Sequence, residues 1–411
     1  MSAARRPLEG LRVLDVTWFG AGPIGLRWLA NMGAQVVRIE TEKRPDGLRL
    51  VGPKPVGNQS LNVSGYYNNF NSEKRSVAID LTTEEGHALG LRLVEQADVF
   101  MTNMTNRAVR QVGMTWDQVR AANPGVIGVY QPMQGLTGPH TEYIGFGAVL
   151  SALCGLNYLA GSEGGRPIGV GTNYPDYVVN PGHAVIAILA ALRHQRRTGE
   201  GQLIDMSQLE SSVAVLSAPV FALDNAGIEY VRQGNRVAYA APHGAYRTSA
   251  EDDRPDRWLA LACLTDEHWR AAAQVMGLGE QAADPRFATV EARKAHEDDL
   301  DALIAAWAAE QHGPRALDAL QAAGVPAGLV LTASEVLHDP HLEARSYYVY
   351  PDHSEAGPRA YDGLAFRLSK TPVEVRGAAP LLGEHTWEIA TDLLGLAPDE
   401  VARLIAAEVL R

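Results

Sequence analysis

The sequence predicts an α/β protein built on a parallel sheet, and three observations carry that prediction. Short apolar runs of strand length recur through the first half of the chain. Helix-length segments separate consecutive runs, and a glycine-rich turn joins the first run to the first helix. Arg12–Val16 is the first strand, followed by a helix over Ile24–Met32 and a second strand over Gln35–Glu40, closed by the charged turn Thr41–Gly47. Ser76–Leu81 is strand-like, Thr82–Gln96 is an amphipathic helix, and Ala97–Met101 is again a strand. Trp116–Asn123 reads as a helix and Val126–Tyr130 as a strand. Ala184–Arg193 and Leu203–Met206 continue the alternation, and a long helix is predicted from about 207 to 227.

Beyond that helix the composition shifts. Arg232–Ser249 reads as loop and strand, Trp258–Ala262 as a strand, and Asp266–Met276, Asp298–Glu310 and Pro314–Ala323 as helices. A chain of 411 residues exceeds one ordinary core. The expected organisation is a large domain over 1–227, a smaller inserted α/β domain over 228–328, and a return to the large domain over 329–411.

Composition bounds the function. Hydrophobic content of 46% and charged content of 20% are those of a globular protein. A net charge of −12 argues against nucleic acid or an anionic membrane as partner. Any polyanionic ligand must therefore meet a local cluster of Arg and Lys. Cys154 and Cys263 both lie in apolar runs and read as small core residues rather than a disulfide or nucleophiles. The first residues lack the apolar core of a signal peptide, and no run reaches the roughly 20 apolar residues of a membrane span. A cytoplasmic enzyme is the expectation. His183, His243, His341 and His385 have no metal-ligand spacing with one another, so capping or packing roles are expected and no metal site.

Gly20-Ala-Gly22-Pro-Ile-Gly25 matches the dinucleotide-binding pattern G-x-G-x-x-G, and Glu40 ends the next strand where a ribose-binding carboxylate would stand. Two features oppose that reading. Asp15-Val-Thr-Trp-Phe19 places a charge and bulky aromatics ahead of the first glycine, and Pro23 has no N–H to offer a pyrophosphate. The alternative is that these glycines let the loop pass close to a ligand or another backbone, with the helix N-terminus free for an anion.

The most informative stretch is Gly169-Val-Gly-Thr-Asn-Tyr-Pro-Asp176-Tyr-Val-Val-Asn-Pro-Gly-His183, a single carboxylate in a Gly/Pro/Asn-rich loop ahead of a helix. Such an Asp is ordinarily a cap or turn former. Its company along the chain changes that. Leu11-Arg-Val-Leu-Asp-Val-Thr17, Ala21-Gly-Pro23, Gly33-Ala-Gln-Val-Val-Arg-Ile-Glu40 and Asn71-Ser-Glu-Lys-Arg-Ser-Val-Ala-Ile-Asp-Leu81 resemble the class III CoA-transferase family. So do Gly135-Leu-Thr-Gly-Pro139, Arg197-Thr-Gly-Glu-Gly-Gln202, Gly324-Val-Pro-Ala-Gly328, Asp339-Pro-His-Leu342 and Leu382-Gly-Glu-His385, in that order. The resemblance spans residues 8 to about 405.

The resemblance implies a Rossmann-like large domain, a smaller inserted domain and an interlocked dimer. It implies transfer of CoA from an acyl-CoA to a carboxylic acid through an aspartyl residue, matched here by Asp176, with acyl-CoA as substrate and no tightly bound cofactor. It also places Lys74 and Arg75 at the nucleotide end of CoA, and Asn103 and Met104 along its channel, with Arg107 and Arg110 close by. Arg44 is a further candidate for a CoA phosphate. The loop Phe19-Gly20-Ala-Gly22 is the candidate for oxyanion-stabilising N–H groups, although a glutamine can stand in the family where Gly20 stands. Trp18, Tyr143, Phe146, Tyr174 and Tyr177 would line the acyl pocket. A likeness to the succinyl-CoA:benzylsuccinate branch suggests a succinyl donor, a substituted or aromatic dicarboxylate acceptor, and either a homodimer or a heteromer with a paralogous chain.

A carboxylate with the ordinary pKa of about 3.9 is ionised at neutral pH, so Asp176 is expected to attack a thioester without a general base. The related 2-methylacyl-CoA racemases use a Gly-His-Asp motif. Here Tyr143-Ile-Gly-Phe-Gly147 holds neither His nor Asp, and His140 follows Gly-Pro in a turn, which makes racemase the second reading. An NAD-dependent oxidoreductase is the remote third.

Overall fold

The computed structural model describes residues 6–250 and 254–411. Six strands, β1 (Arg12–Val16), β2 (Gln35–Glu40), β3 (Arg75–Ala78), β4 (Val99–Thr102), β5 (Ile127–Tyr130) and β6 (Gln202–Asp205), form one parallel sheet in the order β3-β2-β1-β4-β5-β6. Register is set by pairs such as Leu14 with Val37 and with Phe100. The inner strands β1, β2, β4 and β5 are nearly continuous apolar runs because both faces are covered, whereas the edge strand β6 is partly exposed. Leu14, Val16, Val37, Ile39 and Phe100 pack on one side with Leu89, Leu93, Ile389, Val401 and Leu404. Val13, Val36, Val99, Met101 and Val129 pack on the other with Leu26, Leu29, Ala184, Ile188 and Leu192.

The helices that position the site are α1 (Ala21–Asn31), α2 (Glu84–Glu95, capped by the Thr83 hydroxyl), α3 (Gly147–Leu153), α4 (Asn180–Thr198) and α5 (Ser217–Ala226). Three differ from the sequence expectation. Helix α1 begins at Ala21 rather than Ile24, so Gly22 and Pro23 sit in its first turn, where a missing N–H costs nothing. Helix α4 begins at Asn180 rather than Ala184 and is preceded by a wide helical turn over Pro175–Val179. The single helix expected over 207–227 is broken into 208–213, a tight turn over 214–216, and α5. Pro219 can stand only near the start of a helix, because an interior position would lose a backbone bond.

The chain divides into two compact units. The first holds residues 1–157, 169–229 and 340–411; the second holds 158–168 and 230–339. In the second unit, β7 (His243–Arg247), β8 (Trp258–Ala262) and β9 (Ala327–Leu329) form an antiparallel sheet around Trp269, Phe287, Leu300, Ile304 and Leu320. This unit runs past residue 328 because β9 pairs with β8 and Glu335 forms ion pairs with Arg254 and Arg257. Cys154 and Cys263 are buried free thiols. Among the described residues no helix is long and apolar enough to cross a membrane, and no group of three His, Cys, Asp or Glu is placed to hold a metal ion.

Candidate active site

The chain leaves β1 toward β2 and leaves β4 toward β5, so the strand order reverses between them. In a parallel sheet that reversal opens a crevice beyond the carboxyl ends of the strands. Here the crevice is a cleft of about 430 Å³ within the first unit, lined by the loops that follow β1, β2, β3 and β4, by Gly145–Gly147 and by Asp176. Of the residues expected in the site, it brings together Trp18, Phe19, Gly20, Arg44, Asn103, Met104, Phe146 and Asp176.

The loop after β1 is held by side chains at every step. Thr17 donates its N–H and hydroxyl to Asp15, Trp18 N–H donates to Asn103 Oδ1, and Asn103 Nδ2 donates back to the Trp18 carbonyl. Phe19 N–H donates to Asp46 at 3.2 Å. Gly20, Ala21 and Gly22, at the start of α1, are left to present their N–H groups without intrahelical partners. A side chain at Gly20 would lie 3.0 Å from the Tyr177 ring and 3.7 Å from Asp176 Cβ, so this backbone approaches the nucleophile candidate closely.

Asp176 stands in the first turn of the wide helical segment, not in a loop, and Pro175 supplies the fixed φ of a first helical position. Such wide turns occur frequently at functional sites. Burial raises its carboxyl from the ordinary value to about 6, while hydrogen bonds from Gly147 N–H and the Asn180 side chain pull it back down. The carboxyl therefore lies above the ordinary value expected from the sequence, while remaining mainly ionised at neutral pH. Asn180 is fully buried and is itself tied to Gln208 and Ser211.

On the far side of Asp176 lies a second cavity of about 320 Å³, lined by Tyr66, Ser151, Asn157, Thr172, Asn173 and Tyr177 and the glycine backbone at 169 and 171. Helix α3 and the 175–179 turn form the partition: Gly147, Leu150 and Asp176 face the cleft, while Ala148, Ser151 and Tyr177 face the cavity. The cavity lining carries hydroxyls and amides but no charge. Asn157 Oδ1 is buried there without a partner among the described residues, an acceptor open to a ligand O–H.

Several expected ligands lie elsewhere. Lys74 is buried and its ammonium donates to Asp15 at 2.8 Å, Asn71 at 2.9 Å and the Pro23 carbonyl at 3.0 Å, which uses all three protons and leaves none for a phosphate. Arg75 pairs with Glu388 at 2.7 Å, Arg110 pairs with Glu142 at 3.0 Å, and Arg107 is exposed outside the cleft lining. Tyr143 is exposed and stacks on His140, and Tyr174 is exposed beside the partition. Basic residues do reach the cleft after β2. Lys43 pairs with Asp80 at 3.1 Å, and Arg44 lies over the Trp18 ring at 5.1 Å. Lys43, Gly147, Asn180 and Asn157 were not expected from the sequence. The spacing of four between Asp176 and Asn180, one helical turn, was the signal available for Asn180.

Glu40 decides against a dinucleotide. Its carboxylate accepts both forks of Arg49 at 2.9 Å, the Tyr67 hydroxyl at 2.6 Å and the Ser76 hydroxyl at 3.0 Å, so it is already committed to protein donors rather than held open for a ribose. His183 and His385 bond to the backbone of Val179 and Ser76, as packing and capping histidines do.

Residues 8–386 match the family model described as CoA-transferase family III. The chain belongs to CoA-transferase family III. It is similar over its whole length to a succinyl-CoA–D-citramalate CoA-transferase of Chloroflexus aurantiacus, with 34% identity and full coverage of both chains. The alpha subunit of a succinyl-CoA–L-malate CoA-transferase from the same organism is 31% identical, over 98% of this chain and 92% of that one. Among solved structures, a CaiB/BaiF family protein of Brucella suis superimposes with a TM-score of 0.85 at 30% identity, covering 95% of this chain and all of that one. The α/β fold and the class III CoA-transferase activity expected from the sequence therefore stand.

Proposed function

We propose that this enzyme transfers CoA from succinyl-CoA to a short, hydroxyl-bearing dicarboxylic acid through covalent intermediates on Asp176. The observation that carries the reading is the position of Asp176 on the partition between a large cleft and a small uncharged cavity, beside the Gly20 backbone. In this reading CoA occupies the cleft, with its phosphates near Lys43 and Arg44, and the acyl groups enter the cavity.

An Asp176 oxygen attacks the thioester carbonyl carbon, the C–S bond breaks, and CoA leaves as a thiolate, giving a mixed anhydride. The thiolate then attacks the Asp176 carbonyl carbon, releasing the donor acid and forming an aspartyl-CoA thioester. The acceptor carboxylate opens that thioester to a second anhydride. Attack of the thiolate on the acceptor's acyl carbon then restores free Asp176. No net proton moves, which fits a site without a general base. Oxyanions form at both carbonyls, and the Gly20 N–H is the proposed donor; one such donor is typically worth roughly 3–4 kcal/mol. The unpaired Asn157 acceptor and the names of the citramalate and malate relatives support a hydroxylated acceptor.

Incubation with succinyl-CoA and hydroxylamine is expected to convert Asp176 into a hydroxamate, read by peptide mass spectrometry. An unmodified Asp176 alongside active transfer overturns the reading. A panel containing a 2-hydroxy dicarboxylate, the unsubstituted acid and a benzyl-substituted acid separates the acceptor classes; preference for the benzyl acid would restore the aromatic acceptor expected from the sequence.

Because only ionised Asp176 attacks, kcat/KM is expected to fall as pH drops through about 6, rather than through the ordinary carboxylate range near 4. A profile flat down to pH 5 would show that the buried environment does not govern attack.

The proposed assembly is an interlocked dimer. Helix α5 buries none of its residues and leaves Val220, Phe221 and Leu223 about half exposed, the surface such an interface would cover. The subunit name of the malate relative supports pairing with a paralogous chain as the other form.

A further inference from the structure

Phe19 has φ of +59°, a left-handed conformation that is uncommon and strained for a residue with a side chain. Three contacts impose it. Its N–H is held by Asp46, a carboxylate almost fully buried and fixed in turn by Arg38 and by the Leu48 N–H at 2.8 Å. Its ring fills the notch above Gly47, where a Cβ would lie 2.3 Å from Phe19 Cζ. Its other side meets Phe146 edge-on, with ring centroids 4.9 Å apart. Phe146 immediately precedes Gly147, whose N–H binds Asp176, and Phe19 immediately precedes Gly20. One strained residue therefore joins the Gly20 backbone, which passes close to Asp176, to the segment that carries Gly147.

We infer that Asp46 and Gly47 are positioning residues, which hold Phe19 in its left-handed conformation and thereby set the Gly20 and Gly147 N–H groups against Asp176. They touch neither carbonyl; they act through Phe19. The inference rests on the proposed role of Asp176.

Glycine adopts the left-handed conformation without an anchor and has no ring to clash, so in the Phe19→Gly background neither residue is needed to hold position 19, and Asp46 keeps only its bonds with Arg38 and the Leu48 N–H. Asp46→Asn, which leaves one acceptor oxygen where two now serve Phe19 N–H, Leu48 N–H and Arg38, is expected to lower kcat about thirty-fold in the Phe19 enzyme while KM for succinyl-CoA changes by less than about three-fold. In the Phe19→Gly enzyme the same change is expected to cost less than about three-fold further. Gly47→Ala keeps every charge and is expected to show the same pattern, which preserves the test if Asp46→Asn does not fold. An equal loss in both backgrounds, or no loss in the first, overturns the inference, since a purely structural role is indifferent to residue 19. Wild-type enzyme that transfers CoA without labelling Asp176 fails the underlying mechanism instead, so the two failures are distinguishable.

Discussion

Asp176→Asn is expected to lower kcat by at least about ten-thousand-fold while leaving the fold intact and more stable. An amide of the same shape cannot form the anhydride, and losing the nucleophile of a covalent mechanism removes most of the rate enhancement in one step. The stability gain follows from the sign of the linkage. Burial raises Asp176 from 3.8 to about 6, so the folded chain holds this proton more tightly than the unfolded one. Folded stability is consequently lost as pH rises from about 4 to about 6, and the full penalty, on the order of 2–3 kcal/mol, is present above that range. The variant lacks this penalty, so its Tm should exceed that of the wild type by several degrees at pH 8 and match it near pH 4. Thermal melts at the two pH values check this directly. A variant less stable than wild type at pH 8 would mean that the Gly147 and Asn180 bonds outweigh the cost of burying the charge.

Gly147→Ala should reduce kcat about a hundred-fold through one added methyl group. That Cβ would lie 2.4 Å from Asp176 Oδ2 and 2.9 Å from Asn173 Cβ, so the carboxylate must swing away. Displacing a reacting group by about 1 Å costs on the order of 10²-fold when attack depends on alignment. Gly147 opens α3 with φ outside the left-handed region, and alanine is the better helix former, so the backbone itself is unstrained. Steady-state kinetics with a melt as control would test it; activity within about three-fold of wild type would show that Asp176 does not need this position.

The fold was legible because parallel strands buried on both faces must be nearly all apolar, and β1 and β2 fall where that pattern places them. The nucleophile candidate was legible only through its motif. What surrounds it was not, for reasons that are physical. Proline in Tyr174-Pro175-Asp176 suggests a loop, yet at the first helical position it starts a turn instead, and this moves Asn180 onto the same helical segment as Asp176. Lys74 illustrates the converse: a lysine beside a strand looks like a phosphate ligand until its burial against Asp15 is seen. Neither the pKa of Asp176 nor the strain at Phe19 has a local sequence signature, since both come from residues distant along the chain.

Beneath the loop after β1 lie six buried charges, with Asp15, Glu40 and Asp46 balanced by Arg38, Arg49 and Lys74. Replacing one member alone strands its partner's charge in the interior, which typically costs about 3–5 kcal/mol. The floor of the cleft can therefore drift only by coordinated double changes, whereas the walls around Ser151, Asn157 and Thr172 carry no charge whose loss would strand a partner. Descendants of this chain, natural or engineered, should acquire new acceptor acids through those walls while the machinery under the thioester stays the same.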